Sequence, residues 1–507
     1  MLTIGQQKVD GLTLTLLVAL VGATTLLVIL IPSLMPWAFL AVAAAGIVAY
    51  WAVRWEITAW AWIWVLSFGM FDAPFWRLDI PGFFNMTIER FVFLAAALAF
   101  AVHLTWRREK IDIYRAVLWA MLGLLVCCAV SAQRAGWVAS DSPLPTSPYF
   151  RFLGSLLFPF TMFFLVFTCT RRESQIAWAL IPLTIYGWYA LYIAYLQYVD
   201  IRGWWGGARA FIWPKYINQP SWGPTFGIHF DRARGAYTMC NPQAIMLVTL
   251  FYADLFLIRK LRGSYRALLA VQAILIPPAI FFTQLRSGYL SFLLAGILWL
   301  LLASARRAGK SKLALAAVAL MLIVAMFWAN LASEERATGG VAQKSTIVGR
   351  WVLAQRSWQI FKDRPIFGAG FGHYLAAEHQ LRSDPAELTR LGTGLATPHN
   401  LFLVLAAETG IVGVVLTAAV IVLLFRESVQ LYRRIPPTAV GLLSREYVVV
   451  FWAAMTAYFT DAMLVDPLWD TASSALFWSL AGLMVGYNRL LEPQSIDMPL
   501  TAAAMAA

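Results

Sequence analysis

Charged residues are scarce in this chain, at 13% of 507 positions, and hydrophobic residues make up 61%. The mean hydropathy is +0.69. A soluble protein cannot bury so much apolar surface, because surface area grows too fast relative to volume. The scarcity of charge therefore excludes a soluble globular protein and predicts an all-α polytopic membrane protein.

Cysteine is also rare. Cys127, Cys128 and Cys169 fall inside apolar runs, and Cys240 falls near the start of one. None has a partner in a loop, so we expect neither a structural disulfide nor a cysteine-based metal site.

Clustered carboxylates are missing as well. The acidic residues predicted to lie outside the cytoplasm include Glu408, Asp461, Asp466 and Asp470, and no Asp-x-Asp pair occurs among them. Divalent metals that bind phosphates usually need clustered carboxylates. We therefore predict a site without metal or cofactor, and solvated turns are the simplest interpretation of the three aspartates.

Apolar runs are abundant, and about fourteen are long enough to cross a bilayer. They are 12–31, 36–53, 57–71, 90–106, 113–132, 151–169, 176–198, 238–258, 267–283, 287–304, 313–331, 400–425, 447–462 and 471–488.

Lys and Arg alternate with these runs. If the N-terminus is cytoplasmic, most of them fall in inner segments and few in short outer loops. This asymmetry satisfies the positive-inside rule and predicts that both termini are cytoplasmic. The net charge of +13 is thus a topology signal with contact to anionic membrane lipids, and no nucleic-acid partner is expected.

Two outer segments, 199–237 and 332–398, are far longer than the other connections and are typical of functional loops. They divide the chain into an N-terminal transmembrane bundle (1–198), a core with both loops (199–425) and a C-terminal transmembrane pair with a cytoplasmic tail (426–507). In the second loop, apolar residues recur at spacings of three and four from Trp351 to Phe361. This predicts an amphipathic helix on the outer membrane surface.

That helix should end near Asp363, because Pro365 follows. The glycines of segment 363–373 resemble a nucleotide-binding pattern without matching its spacing, and no strand precedes them. We interpret these glycines as letting the loop turn back tightly towards the membrane.

His399 and Asn400 stand where the second long loop ends and an apolar helix begins. Asn400 can cap that helix by accepting from its free amide groups. The helix N-terminus disfavours a protonated imidazole at His399, and a neutral imidazole can act as a general base. The alternative is an interfacial histidine without a chemical role.

Several arginines are predicted at the same level. Arg286 lies in a tight outer turn, and Arg232 and Arg234 precede the next outer helix start. The planar guanidinium binds phosphate oxygens in pairs, so this set could hold a pyrophosphate. Contact with lipid headgroups, or simple solvation, is the alternative for each residue.

Three blocks occur in a specific order: Thr283–Gly288 around Arg286, Gly349–Gly370 with two tryptophans, and His399–Asn400 followed by Glu408 and Gly410. Together they resemble the superfamily of O-antigen ligases and Wzy-type polymerases, over about 235–425. Each block alone is weak, but the ordered combination with a long outer loop is specific.

The resemblance implies a GT-C-like, metal-independent, inverting glycosyltransferase of the bacterial inner membrane, with its active site facing the periplasm. Its donor would be a glycan on undecaprenyl pyrophosphate, and its acceptor a glycan or lipid A-core. His399 would activate the acceptor hydroxyl. Arg234 and Arg286 would hold the pyrophosphate, with Arg232 and Arg350 as further candidates. Glu408 would be a structural partner inside its helix or, alternatively, a base.

Span number favours a polymerase, since ligases typically have twelve spans and polymerases more often fourteen. An O-antigen ligase is the first alternative, and a protein O-glycosylation ligase or a lipid-linked glycan transporter is more distant. A transporter should show repeats or polar groups at mid-membrane, whereas the ionisable residues here cluster at the outer rim. A chain-length regulator and a flippase are candidate partners.

Overall fold

A computed structural model of the chain describes residues 57–70, 77–78, 86–107, 115–137, 147–212, 232–237, 239–303, 344–381, 398–465 and 470–492. The α-helices are α1 (Thr58–Met70), α2 (Ile88–Arg107), α3 (Ala116–Ala135), α4 (Pro148–Phe152), α5 (Phe158–Cys169), α6 (Gln175–Ile201), α7 (Cys240–Lys260), α8 (Ser264–Phe282), α9 (Arg286–Leu302), α10 (Lys344–Asp363), α11 (Tyr374–Leu381), α12 (Leu401–Arg434), α13 (Arg445–Leu464) and α14 (Thr471–Leu490). A π-helical turn (Leu153–Leu157) joins α4 to α5, and a 3-10 turn (Ala208–Phe211) follows α6. The strands β1 (Arg77–Leu78) and β2 (Met86–Thr87) form an antiparallel pair between α1 and α2.

The helical membrane class is confirmed. By length and composition, eight helices in the described part of the chain can cross a membrane, namely α2, α3, α4 continuing into α5, α6, α7, α8, α12 and α13. The apolar helices α1 and α9 are shorter. All but three of the predicted runs coincide with a described helix, and the three, 12–31, 36–53 and 313–331, lie outside the described residues.

Helix α14 lies inside the bundle. Every side chain from Ser473 to Asn488 is buried. A Cβ atom at Gly482 would lie 2.4 Å from the carbonyl oxygen of Phe163, so glycine is what lets α14 approach α5 this closely. Because protein rather than lipid surrounds α14, it tolerates several serines.

Two ion pairs join helix ends that are predicted to be cytoplasmic. Arg259, at the end of α7, pairs with Glu446 at the start of α13 at 2.6 Å. Arg115, just before α3, pairs with Glu427 of α12 at 2.7 Å. These pairs join the helix ends that the topology predicts to lie on the same side.

The amphipathic helix of the second long loop is confirmed as α10, and it ends at Asp363 as predicted. Trp351 and Trp358 are 66% and 55% exposed, whereas Leu353 and Ile360 are buried. The helix therefore packs one face on the protein and leaves its tryptophans outward.

Helix α12 differs from its prediction. The run 400–425 was predicted as one span, but the helix extends to Arg434 and is broken at Gly410, where φ is 67° and ψ is −163°. The extension follows because a helix can continue past the membrane where its residues become polar. The break separates a first half, Leu401–Thr409, from the half that crosses the bundle.

A neighbouring segment supplies hydrogen bonds to this break. In residues 365–370, here named the glycine clasp, the amides of Ala369 and Gly370 donate to the carbonyls of Ala407 and Glu408 at 2.8 and 2.9 Å. The Ile411 amide donates to the Pro365 carbonyl at 2.8 Å. Backbone groups at the break are thus satisfied, as buried backbone groups must be.

Replacing Gly368 with alanine is expected to destabilise this junction. Gly368 has a φ of 66°, and its Cβ atom would lie 2.3 Å from the backbone carbon of Glu408. The left-handed backbone alone costs an L residue about 1–2 kcal/mol. The thermal unfolding midpoint in detergent should fall, whereas Gly206→Ala, at a site with no atom within 4 Å of the new Cβ, should leave it unchanged. Equal midpoints for the two variants would show that Gly368 does not pack tightly against the Glu408 backbone.

Candidate functional site

Arg286 opens helix α9 after a short turn. The turn, Thr283–Leu285, lies between α8 and α9 where the sequence predicted it, although Arg286 itself is the first helical residue. Gln284 in this turn has a left-handed backbone, with φ at 50°. The Ala233 amide donates to the Phe282 carbonyl at 3.0 Å, which fixes the chain around Arg232 beside this turn.

Arg232 is buried, with 3% of its surface exposed. Its NH1 lies 4.0 Å from the Cys240 sulfur, and its Nε and NH2 atoms have no hydrogen-bond partner among the described residues. Its charge also acts on nearby Arg286. A buried cation beside a second cation is unfavourable unless an anion compensates both.

Arg350 of α10 joins the same group. Burial lowers the pKa of the Arg350 guanidinium, the Arg286 charge lowers it further, and the Asp461 carboxylate acts in the opposite sense. Arg286 therefore lies within electrostatic range of two other predicted arginines, Arg232 and Arg350, which come from distant parts of the chain.

Asp461 sits in the last turn of α13 with 2% exposure, so its interpretation as a solvated turn residue is wrong. Its carboxylate accepts from Ser287 Oγ at 2.7 Å and Asn241 Nδ2 at 3.3 Å. These bonds tie α13 to the first turns of α9 and α7. Asp461 lay within the predicted run 447–462, and an ionisable residue inside an apolar run was a usable signal.

The solvated-turn interpretation is wrong for Asp470 as well. Asp470 is buried, and it caps α14 by accepting from the Ala472 amide at 3.1 Å. Asp466 lies outside the described residues.

Arg234 is buried two residues after Arg232. Its amide and that of Gly235 both donate to Gln197 Oε1 at 3.0 Å, and Gln197 Nε2 donates back to the Gly235 carbonyl at 2.9 Å. A glutamine of α6 thus fixes the backbone at Arg234.

His399 and Asn400 form the entry to α12. The predicted cap is present, since Asn400 Oδ1 accepts from the Leu403 amide at 3.1 Å. Asn400 Nδ2 donates to the Met463 carbonyl at 3.1 Å, two residues beyond Asp461. His399 is partly exposed and has a φ of 49°, the left-handed region. The His399 corner is therefore docked on the end of α13 that carries Asp461.

Glu408 is fully buried within the first half of α12. Its Oε1 lies 2.5 Å from Arg151 NH1 of α4, and both side chains are nearly inaccessible. Arg151 was not predicted, although its position at the start of the run 151–169 marked a charge at the edge of a span.

Among the described residues, no three His, Cys, Asp or Glu side chains come together as a metal site would require. Arg232, Arg286 and Arg350 supply fixed positive charge instead, which suits binding of phosphate oxygens.

Comparison with known proteins agrees with the motifs. No curated protein matches the chain. Residues 270–418 match the family model Wzy_C, described as O-antigen ligase. The match includes Arg286, Arg350, His399 and Glu408, and it is narrower than the resemblance over 235–425. Residues 270–418 are therefore a domain of the O-antigen ligase family, Wzy_C, as the sequence predicted.

Proposed function

We propose that this chain is a GT-C-like glycosyltransferase of the bacterial inner membrane that acts at its periplasmic face. It transfers a glycan from undecaprenyl pyrophosphate to a sugar hydroxyl without a metal and with inversion. A Wzy-type polysaccharide polymerase is the form that we favour, and both termini would be cytoplasmic.

One observation carries the proposal: Arg232 is buried with two guanidinium nitrogens that have no hydrogen-bond partner among the described residues. Its charge acts on Arg286, whose charge acts in turn on Arg350. Such a group attracts a compact polyanion. Helices α7 and α9 also begin here, and helix N-termini favour negative charge. A pyrophosphate bridging lipid and sugar has the required charge.

The proposed reaction is a single displacement. A neutral imidazole nitrogen of His399 takes the proton of the acceptor hydroxyl, and the acceptor oxygen attacks the anomeric carbon of the donor. The bond between that carbon and the phosphate oxygen breaks, and its electron pair leaves with the lipid pyrophosphate. Arginines stabilise the charge that develops on the leaving group. Attack from the opposite side inverts the anomeric centre.

Asp461 has a natural place in this scheme. Its carboxylate opposes the charge of Arg350 and holds Asn241 and Ser287, the second residues of α7 and α9. One negative charge among several arginines reduces their mutual repulsion while the site is empty. The net charge still favours a pyrophosphate over a neutral ligand.

An O-antigen ligase, which transfers a finished polymer to lipid A-core, is the alternative that the description of the family model favours. The chemistry and the site residues would be the same. The two functions differ in the acceptor, so they leave different products when the protein is missing.

Deletion of the protein should distinguish them. Lipid A-core that carries a single repeat unit is the expected result and identifies a polymerase. Full-length polymer stranded on undecaprenyl pyrophosphate would identify a ligase instead. Surface glycans and lipid-linked intermediates can be measured by gel electrophoresis and mass spectrometry, with re-expression of the chain as the control. Unchanged surface glycan together with under-glycosylated periplasmic proteins would show that the chain glycosylates proteins and is neither a polymerase nor an O-antigen ligase.

A further inference from the structure

We infer that Arg151, Glu408 and the glycine clasp act together as a positioning device that aims His399 at the reacting hydroxyl. The inference rests on the proposed function, since it assigns these residues a role in placing the proposed base. None of them touches the substrate in this scheme.

The break at Gly410 makes such a device necessary. Continuous helices point in a direction set by their whole length, but the first half of α12, Leu401–Thr409, has its own axis beyond the break. His399 and Asn400 stand at the start of this half. A contact that orients the first half of α12 therefore also orients the His399 imidazole.

The glycine clasp holds the break at Gly410 in place. Its three backbone hydrogen bonds reach residues before and after Gly410, so both halves of α12 are fixed to the same segment. The approach is close, because a Cβ atom at Gly410 would lie 2.3 Å from the Ile366 carbonyl oxygen. Gly368 and Gly370 of the 363–373 segment thus serve this junction.

Arg151 and Glu408 provide a second set of contacts to the first half. Glu408 Oε1 accepts from Arg151 NH1 at 2.5 Å and from the Tyr374 amide at 3.3 Å. Ser131 Oγ of α3 donates to the Glu408 carbonyl at 3.0 Å. One residue of the first half is therefore connected to α3, α4 and α11.

The chemistry of the pair favours positioning over stability. A buried ion pair gains little stability over apolar residues of similar volume, because both charges must leave water. It does specify one arrangement, since only one geometry pairs both charges. Because α12 is broken at Gly410, its first half needs such an orientation-specific contact to place the His399 imidazole.

The test is a double substitution, here named the clamp variant, which replaces the pair with two methionines of similar length, Arg151→Met with Glu408→Met. It avoids leaving a lone buried charge. The matched control is Arg115→Met with Glu427→Met, which removes a largely buried pair from the opposite end of the same helix. The readouts are the turnover rate per folded molecule, the affinity for a lipid-linked pyrophosphate donor, and hydrogen exchange over 399–409.

The clamp variant should lose about 100-fold in turnover, because a displacement near 1 Å costs about that much. Donor affinity should stay within twofold, and exchange over 399–409 should accelerate. The control should keep its turnover and its exchange. Unchanged turnover per folded molecule in the clamp variant, or an equal loss in the control, would overturn the inference. Full activity of His399→Ala in the same assay would remove His399 as the base. Absence of transfer by the unsubstituted protein would overturn the proposed function, and faster exchange in the clamp variant alone would still show that the pair holds the half-helix.

Discussion

Replacing His399 with alanine is expected to abolish glycan transfer while leaving folding and donor binding intact. General base catalysis contributes about 10²–10⁴-fold to a rate, and alanine cannot accept the hydroxyl proton. Alanine is an L residue with the same backbone requirement at a φ of 49°, so the turn before α12 should be preserved. The measurement is polymer formation by purified protein in lipid vesicles.

The control for this variant is His379→Ala. His379 lies on α11, in the same long loop, and its side chain is exposed. It should transfer glycan at the wild-type rate. Normal polymer production by the His399 variant would remove this residue from the mechanism and leave acceptor activation without a known base.

Replacing Arg286 with lysine should retain the positive charge and still lose most activity. Lysine lacks the planar fork that donates two parallel hydrogen bonds to phosphate oxygens. Loss of one preorganised donor to a developing charge typically costs about 10²–10³-fold in turnover. The comparison of turnover numbers at saturating donor would measure this loss.

Arg266→Lys is the matched substitution, because Arg266 is exposed near the start of α8, at the opposite end of that helix from the turn before Arg286. It should have no effect on turnover. If Arg286→Lys were fully active, charge alone would suffice at this position. The proposed pair of hydrogen bonds from Arg286 to the leaving group would then be wrong.

Features set by nearby residues could be predicted from the sequence. Apolar runs located the described helices other than α10 and α11, Pro365 located the end of α10 at Asp363, and Asn400 was identified as the cap of α12. In each case the physical cause lies within a few residues of its effect. Local sequence is sufficient information for such features.

The break in α12 could not be predicted in this way. Gly410 stands in an apolar run where glycine gives only a weak local signal. The break depends on backbone bonds from the glycine clasp, about forty residues earlier in the chain. The apolar pattern alone therefore indicated one continuous helix.

The partners of the charged residues could not be predicted from the sequence either. Arg151 and Glu408 are 257 positions apart, and Ser287 and Asp461 are 174 apart. Nothing in one chain reveals which distant charges will meet. The arginine cluster was predicted only because topology placed its members at one level.

The left-handed backbones of Gln284 and His399 bear on how stable this chain can be. Glycine would adopt either conformation without the penalty of about 1–2 kcal/mol that an L side chain incurs. The chain therefore folds less favourably than it could at the two corners that precede Arg286 and the cap of α12. Such local strain persists only when the surrounding structure enforces it. At position 399, a glycine would relieve the strain but would remove the imidazole.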